Sequence, residues 1–332
     1  MLAEFYTIYR SLISLSLLLT FITVALSAYI RLAEVGIGCE DWPACYAQLN
    51  PESEKRGVTV LTEEGQQMAH YGARVAHRYI ASVLGLFILA VYIMSLRQGR
   101  GRATGLLVPT AMFAIMVFLS LLGYYTPTRS NPLITMGNLL GGMSLLGLLW
   151  WMMQREVDTF EVPDTTASYR PLAVLALCLV SLQIVLGGWG SANFASASCP
   201  GLVRCEGEVL AVANVAEAFN PMREVQLDAG GAVIREPALG LLSMTHRVFA
   251  LLTAAYLAWL VRKLKTEPEL RVTLLALSAF SISQIVVGVT SIWLDVPLLL
   301  LSLHNVLAAC LLMAAINFVH RLTPATRSAL PG

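Results

Sequence analysis

The length of the apolar stretches constrains this chain more than any other feature. A membrane-spanning helix needs about 20 consecutive, mostly apolar residues to cross roughly 30 Å of hydrocarbon. Eight such stretches follow one another, at 11–31, 72–96, 104–124, 133–153, 171–190, 238–261, 271–293 and 297–318. None is interrupted by the charged face of a soluble amphipathic helix, and the composition agrees, with 57% hydrophobic and 13% charged residues. The first stretch is too long for a signal peptide, and the residues after it, including Arg31, lack the small-residue cleavage pattern. The chain is expected to be an all-α polytopic membrane protein with eight transmembrane helices.

Net charge near zero says little, but the placement of the charges orients the chain. Arg97, Arg100 and Arg102 lie between the second and third stretches, and Arg262, Lys263, Lys265 and Arg271 between the sixth and seventh. Arg321 and Arg327 follow the last stretch. Lys and Arg beside span ends mark the cytoplasmic side, which predicts that both termini are cytoplasmic and two long loops lie outside. Cys39 and Cys45 fall in the first outer loop and Cys199 and Cys205 in the third, while Cys178 and Cys310 fall within spans. Two cysteine pairs outside and none in a cytoplasmic loop suit an oxidising compartment such as the bacterial periplasm, and hence the bacterial inner membrane.

An internal repeat organises the chain. Cys39-Glu-Asp-Trp-Pro-Ala-Cys45 and Cys199-Pro-Gly-Leu-Val-Arg-Cys205 each hold five residues between two cysteines. Each pair is followed by a long loop and then by a helix carrying His-Arg, as Ala76-His77-Arg78 and Thr245-His246-Arg247. The cysteines are offset by 160 residues and the histidines by 169. Two tandem four-helix bundles over 1–155 and 170–325, joined by a linker at 156–169, fit this spacing. Both halves begin on the same side, so the pseudo-two-fold axis relating them runs along the membrane normal.

Of the five histidines, His320 is expected at the cytoplasmic interface, whereas His70, His77, His246 and His304 lie toward the outer ends of their helices. A lone histidine in a span is commonly an interhelical hydrogen-bonding group. His246 and His304 enter from the same side at similar depth, and bundles build cofactor sites from side chains on facing helices. Two neutral imidazoles across a gap suit an axially ligated heme iron. Zinc fits less well, since no third or fourth nitrogen, sulfur or carboxylate ligand accompanies them. In the first half His77 matches His246, but the position matching His304 is Asn138, at an offset of 166. An amide is a poor iron ligand, so the first half encodes no second bis-histidine site. It offers His70, Arg74 and His77 on one helix face: either His70 and Arg74 sit at the water interface, or Arg74 and Arg78 pair with a propionate or another anion while His77 is a single iron ligand. Met136 and Met143 are nearby candidates for the face of an iron opposite His77.

The run Ala28-Tyr-Ile-Arg-Leu-Ala-Glu-Val-Gly-Ile-Gly-Cys-Glu-Asp-Trp-Pro-Ala-Cys45 resembles the signature of the heme A synthase family. So do His77-Arg-Tyr-Ile-Ala, Leu139-Leu-Gly-Gly-Met143, Leu186-Gly-Gly-Trp189 and Thr245-His-Arg-Val-Phe-Ala250, in order along nearly the whole chain. The resemblance implies stepwise oxidation of the C8 methyl of heme O to the formyl group of heme A, for terminal cytochrome oxidase. It implies heme b between His246 and His304, with Arg247 beside it, and substrate heme in the first half against His77. It also implies a Cys39–Cys45 disulfide, with Cys199–Cys205 as its counterpart. Partners would be heme O, membrane lipid, heme O synthase and oxidase assembly factors, with no nucleic acid.

Two departures from the pattern set up an alternative. The family's catalytic glutamate, three residues before the first-half histidine, is Arg74 here, and its second substrate-heme ligand is Asn138. A carboxylate can accept a proton, whereas an arginine stays protonated. The chain is therefore either an enzyme working through a modified site, with His70, His77 and Arg74 as candidates, or a non-catalytic heme-binding assembly protein derived from one. A membrane electron carrier is a third reading.

Overall fold

The computed structural model of the chain describes residues 2–33, 64–98, 105–125, 132–157, 164–199, 201–205, 211–223, 226, 234, 236–294 and 297–323. Every regular element among them is helical. The first half contributes α1 (Leu2–Ala33), α2 (Glu64–Gln98), α3 (Leu107–Tyr125) and α4 (Pro132–Val157). The short α5 (Asp164–Ala167) lies in the expected linker. The second half contributes α6 (Arg170–Ala192), α7 (Val212–Ala218), α8 (Pro237–Leu264), α9 (Arg271–Trp293) and α10 (Leu298–Arg321). Single 3-10 turns sit at Ala195–Ser198 and Pro268–Leu270.

Seven of these helices, α1, α2, α4, α6, α8, α9 and α10, are long and apolar enough to cross a membrane, and the chain is a multi-pass membrane protein. The exception to the expected eight is α3, whose apolar run is Leu107–Gly123. Its 19 residues rise about 28 Å at 1.5 Å per residue, slightly under the hydrocarbon thickness. Local signals bound it at both ends: Gly105 adopts a left-handed φ of 59° just before it, and Thr126-Pro127 follows it in the sequence, disfavouring helix at the residue before proline. By contrast α2 starts at Glu64, ahead of the expected 72, so His70, Arg74 and His77 ride on one uninterrupted helix.

Packing divides the helices into two rings. In the first, α1 packs on α2 and α4, and α3 on α2 and α4; in the second, α6 packs on α8 and α10, and α9 on α8 and α10. The rings meet along a seam where α1 touches α10 and α4 touches both α6 and α10. Each ring has its own apolar core at the end opposite the histidines. Tyr9, Ile13, Ile88, Met112, Leu149 and Met152 fill the first, and Leu257, Leu260, Leu264, Leu277 and Phe318 lie in the second. Lipid is as apolar as leucine, so close backbone approach and interhelical hydrogen bonds hold such helices together. Gly147 shows this at the seam: a Cβ there would lie 2.9 Å from Ile316 Cδ1. Trp150 Nε1 donates to the Met313 carbonyl across the seam at 2.9 Å. His320, in the last turn of α10, is buried at 6% exposure with its ring edge-on to Trp151 at 5.8 Å.

A cap closes the histidine end of the second ring. Trp189 Nε1 donates to the Ala218 carbonyl at 2.8 Å, tying α6 to α7. Arg223, buried, bridges Glu217 at 3.0 Å and Glu236 at 2.7 Å, and Ser198 Oγ accepts from the Glu236 amide at the start of α8. Phe194, in the turn after α6, takes a left-handed φ of 53°, uncommon for a residue with a bulky side chain.

Candidate functional site

Two histidines from different helices meet inside the second ring. His246 lies in the third turn of α8 and His304 in the second turn of α10, and both helices run apolar around them. Their ring centroids are 6.5 Å apart with planes inclined at 74°. Two metal–imidazole bonds of about 2 Å, each with about 1 Å more from nitrogen to ring centre, would set two axial rings about 6 Å apart, close to the distance found. No third His, Cys, Asp or Glu joins the pair among the described residues. That donor set suits an ion whose remaining positions are filled by another ligand, as in a heme, and does not complete the tetrahedron of a protein-held zinc.

Each histidine rests in a seat made by the neighbouring helix. A Cβ at Gly187 of α6 would lie 2.7 Å from His246 Cε1, and one at Gly288 of α9 would lie 3.2 Å from His304 Cε1. One turn before each glycine stands a glutamine. Gln183 Nε2 donates to the His246 carbonyl at 3.2 Å and lies 3.0 Å from His246 Nδ1. Gln284 Nε2 donates to the His304 carbonyl at 3.1 Å. The sequence carried the signal as Gln183-Ile-Val-Leu-Gly187 and Gln284-Ile-Val-Val-Gly288, but a repeat search built on cysteines and histidines passes over it. Only the fold reveals that each copy faces a histidine.

Two arginines lie next to these histidines. Arg247 turns its guanidinium toward the loop that holds Cys199 and Cys205, donating to the Cys199 carbonyl at 3.1 Å, the Leu202 carbonyl at 2.9 Å and the Gly201 carbonyl. Cys199 and Cys205 are disulfide-bonded, so the residue after His246 holds the cross-linked loop over the ring. Arg31 reaches across the seam from α1 to Asn305 Oδ1 at 2.9 Å, placing a first-half cation beside the residue that follows His304.

The first half looks different. His77 is half-buried on α2, with Arg78 beside it and Arg74 buried at 7% exposure one turn earlier. Asn138 is exposed on α4. Met136 and Met143 are buried on another face of α4. Met136 Sδ lies 3.0 Å from where a Gly188 Cβ would be, and Met143 packs with Ala309, Leu312 and Ile316. At 3.6 residues per turn, Asn138 lies about 200° around the helix from Met136. The methionines therefore belong to the seam and do not substitute for the ligand missing at Asn138. Neither α1 nor α3 contains a glutamine. The 160-residue offset of the cysteine pairs puts Thr23 and Ser27 where Gln183 and Gly187 stand. His70 lies on α2, but its side chain is outside the described part, and Cys39 and Cys45 lie in the segment 34–63 outside the described residues.

Comparison with known proteins agrees with the motif reading. The model of the cytochrome oxidase assembly protein family matches residues 10–316. The chain is 29% identical over 313 residues to the heme A synthase of Shewanella oneidensis, covering 92% of this chain and 94% of that protein. With nearly its whole length matched, the chain belongs to this cytochrome oxidase assembly family, the heme A synthase family its motifs resemble.

Proposed function

We propose that the chain is an eight-span inner-membrane oxidoreductase of heme A biosynthesis, carrying heme b between His246 and His304 and oxidising the C8 methyl of heme O to the formyl group of heme A. The observation that carries the reading is the pair of facing imidazoles, 6.5 Å apart in an apolar bundle, on a chain similar along its length to a heme A synthase. In this reading α3 serves as the eighth span, and its contacts with α2 and α4 mirror those of α9 with α8 and α10. Both termini are cytoplasmic and the cysteine loops periplasmic.

When bound, heme b supplies a one-electron centre that can relay charge out of the membrane interior. The chain's own residues hold it there. His246 and His304 would each offer it an imidazole nitrogen, and the apolar helices around them would exclude water. Arg247 and the Cys199–Cys205 loop close the outer end. In the first half His77 would face the substrate, with Arg78 placed to meet an acidic substituent.

A second reading, a non-catalytic heme-binding assembly protein, is favoured by one set of observations. The first half has Arg74 at the position of the family's glutamate and Asn138 at that of its second ligand, and α1 and α3 carry no glutamine like those of α6 and α9. Co-expression with a heme O supply, followed by heme extraction and chromatography, separates the two. Heme A or its hydroxylated intermediate supports the enzyme, whereas bound heme b with heme O unconverted supports the assembly protein. Under both readings His246→Ala and His304→Ala abolish the bound heme, and a normal heme spectrum in both variants would refute the site.

A further inference from the structure

Gln183 and Gln284 repeat one arrangement on two helices. Each is the single glutamine of its helix, stands one turn before the glycine that backs a histidine ring, and donates its amide nitrogen to that histidine's own carbonyl. Each also leaves its amide oxygen buried without a partner, and the Nδ1 of His304 is equally buried and unpartnered. An unmade hydrogen bond is unfavourable in so apolar a place, so a duplicated pair of such oxygens calls for an explanation. Histidine offers a carbonyl acceptor and, in one tautomer, an Nδ1–H donor on the same side of the residue. A primary amide is the complement of that pair.

We infer that Gln183 and Gln284 are positioning residues, each clamping its histidine by donating to the backbone carbonyl and accepting from Nδ1–H. The clamp rests on the heme b reading above and deepens it. With Nδ1 carrying the proton, Nε2 keeps its lone pair for a metal, and the ring is fixed about its side-chain torsions with the glycine behind it. At Gln284 this needs only that the unpartnered oxygen and the unpartnered Nδ1 close on each other. At Gln183 the nitrogen lies 3.0 Å from His246 Nδ1, 3.4 Å from its Nε2 and 3.2 Å from the carbonyl, and the clamp requires the amide to turn so that its oxygen meets Nδ1. Outer partners of this kind set ligand orientation and basicity, and their loss typically weakens a metal site 10- to 100-fold. Among the described residues of the first half, α1 and α3 carry no glutamine that could make such a clamp.

The test compares Gln183→Leu, Gln284→Leu and the corresponding Glu variants in the full-length protein, using added hemin as the probe. In the heme-free protein, nitrogen NMR of labelled histidine reads the tautomer directly: His304 is Nδ1-protonated in the parent chain and in Gln284→Glu, and mixed in Gln284→Leu. In the loaded protein the Leu variants bind hemin 10- to 100-fold more weakly, and the Glu variants, which keep an acceptor, stay within a few-fold. Losing the acceptor weakens the ferric state more than the ferrous, and each tenfold of that difference raises the midpoint potential by about 59 mV. Leu variants with parental tautomer, affinity and potential would overturn the clamp. A parent chain that shows the Nδ1–H tautomer yet takes up no hemin would leave the clamp standing and sink the heme reading instead.

Discussion

Substituting Gly187 or Gly288 with alanine tests the histidine seats without touching a ligand. A methyl at 187 would sit 2.7 Å from His246 Cε1, and one at 288 would sit 3.2 Å from His304 Cε1. To regain a carbon–carbon contact of about 3.5 Å, the His246 ring must retreat about 0.8 Å and the His304 ring about 0.3 Å. The melting temperature of the heme-free Gly187→Ala chain reads the cost of displacing the ring alone. With an iron between the rings that retreat is blocked, and overpacking of this kind costs about 1–3 kcal/mol. At 1.4 kcal/mol per tenfold, hemin affinity falls roughly 5- to 150-fold in Gly187→Ala. Gly288→Ala loses less than about 5-fold on the same arithmetic. Gly85→Ala is the control, since its nearest neighbour, Met116 Sδ, lies at an ordinary 3.8 Å. Hemin titration followed by absorbance, in detergent, gives all three affinities. Unchanged binding by Gly187→Ala, or a larger loss at 288 than at 187, would refute the geometry on which the site is built.

Three further outcomes follow from the contacts. Removing Arg223 leaves Glu217 and Glu236 facing each other without their shared cation; Glu217 is half exposed, so Arg223→Ala is expected to cost about 2 kcal/mol rather than the full price of a buried pair, read as a lower melting temperature. Asn305→Leu strands the Arg31 guanidinium in the seam, whereas Arg31→Met removes the charge as well. The first is expected to destabilise by about 2 kcal/mol and the second by much less, and equal melting temperatures would show that the bond across the seam contributes nothing. The pair Arg74→Glu with Asn138→His restores the family's residues to the first half; if the parent chain leaves heme O unconverted, chromatography of the double variant should reveal its oxidation product, and a parent already making heme A would remove the reason for the experiment.

Much of this protein was legible as sequence because membranes impose one-dimensional rules. Apolar length gave seven of the eight expected spans, since hydrocarbon leaves backbone groups no partner outside a helix. The eighth, α3, fell short because Gly105 and Thr126-Pro127 trim it, a local effect that hydropathy averages over. The facing of His246 and His304 could be anticipated from their depth alone, as rise per residue is fixed within a helix. Nothing one-dimensional gave the seats. Gln183 and Gly187 are 63 and 59 residues from His246 in the chain, and their role depends on α6 and α9 lying against α8 and α10. The same holds for Arg31, which belongs to one half by sequence and serves the other through the seam, and for Met136 and Met143, whose chemistry suggested iron until helical phase turned them toward α6 and α10. The sequence by itself determined a helical membrane protein with one histidine pair at matched depth, because span length, periodicity and residue chemistry are local. Which side chains support that pair was decided by the tertiary structure, because support is a matter of contact between helices that the chain order leaves free.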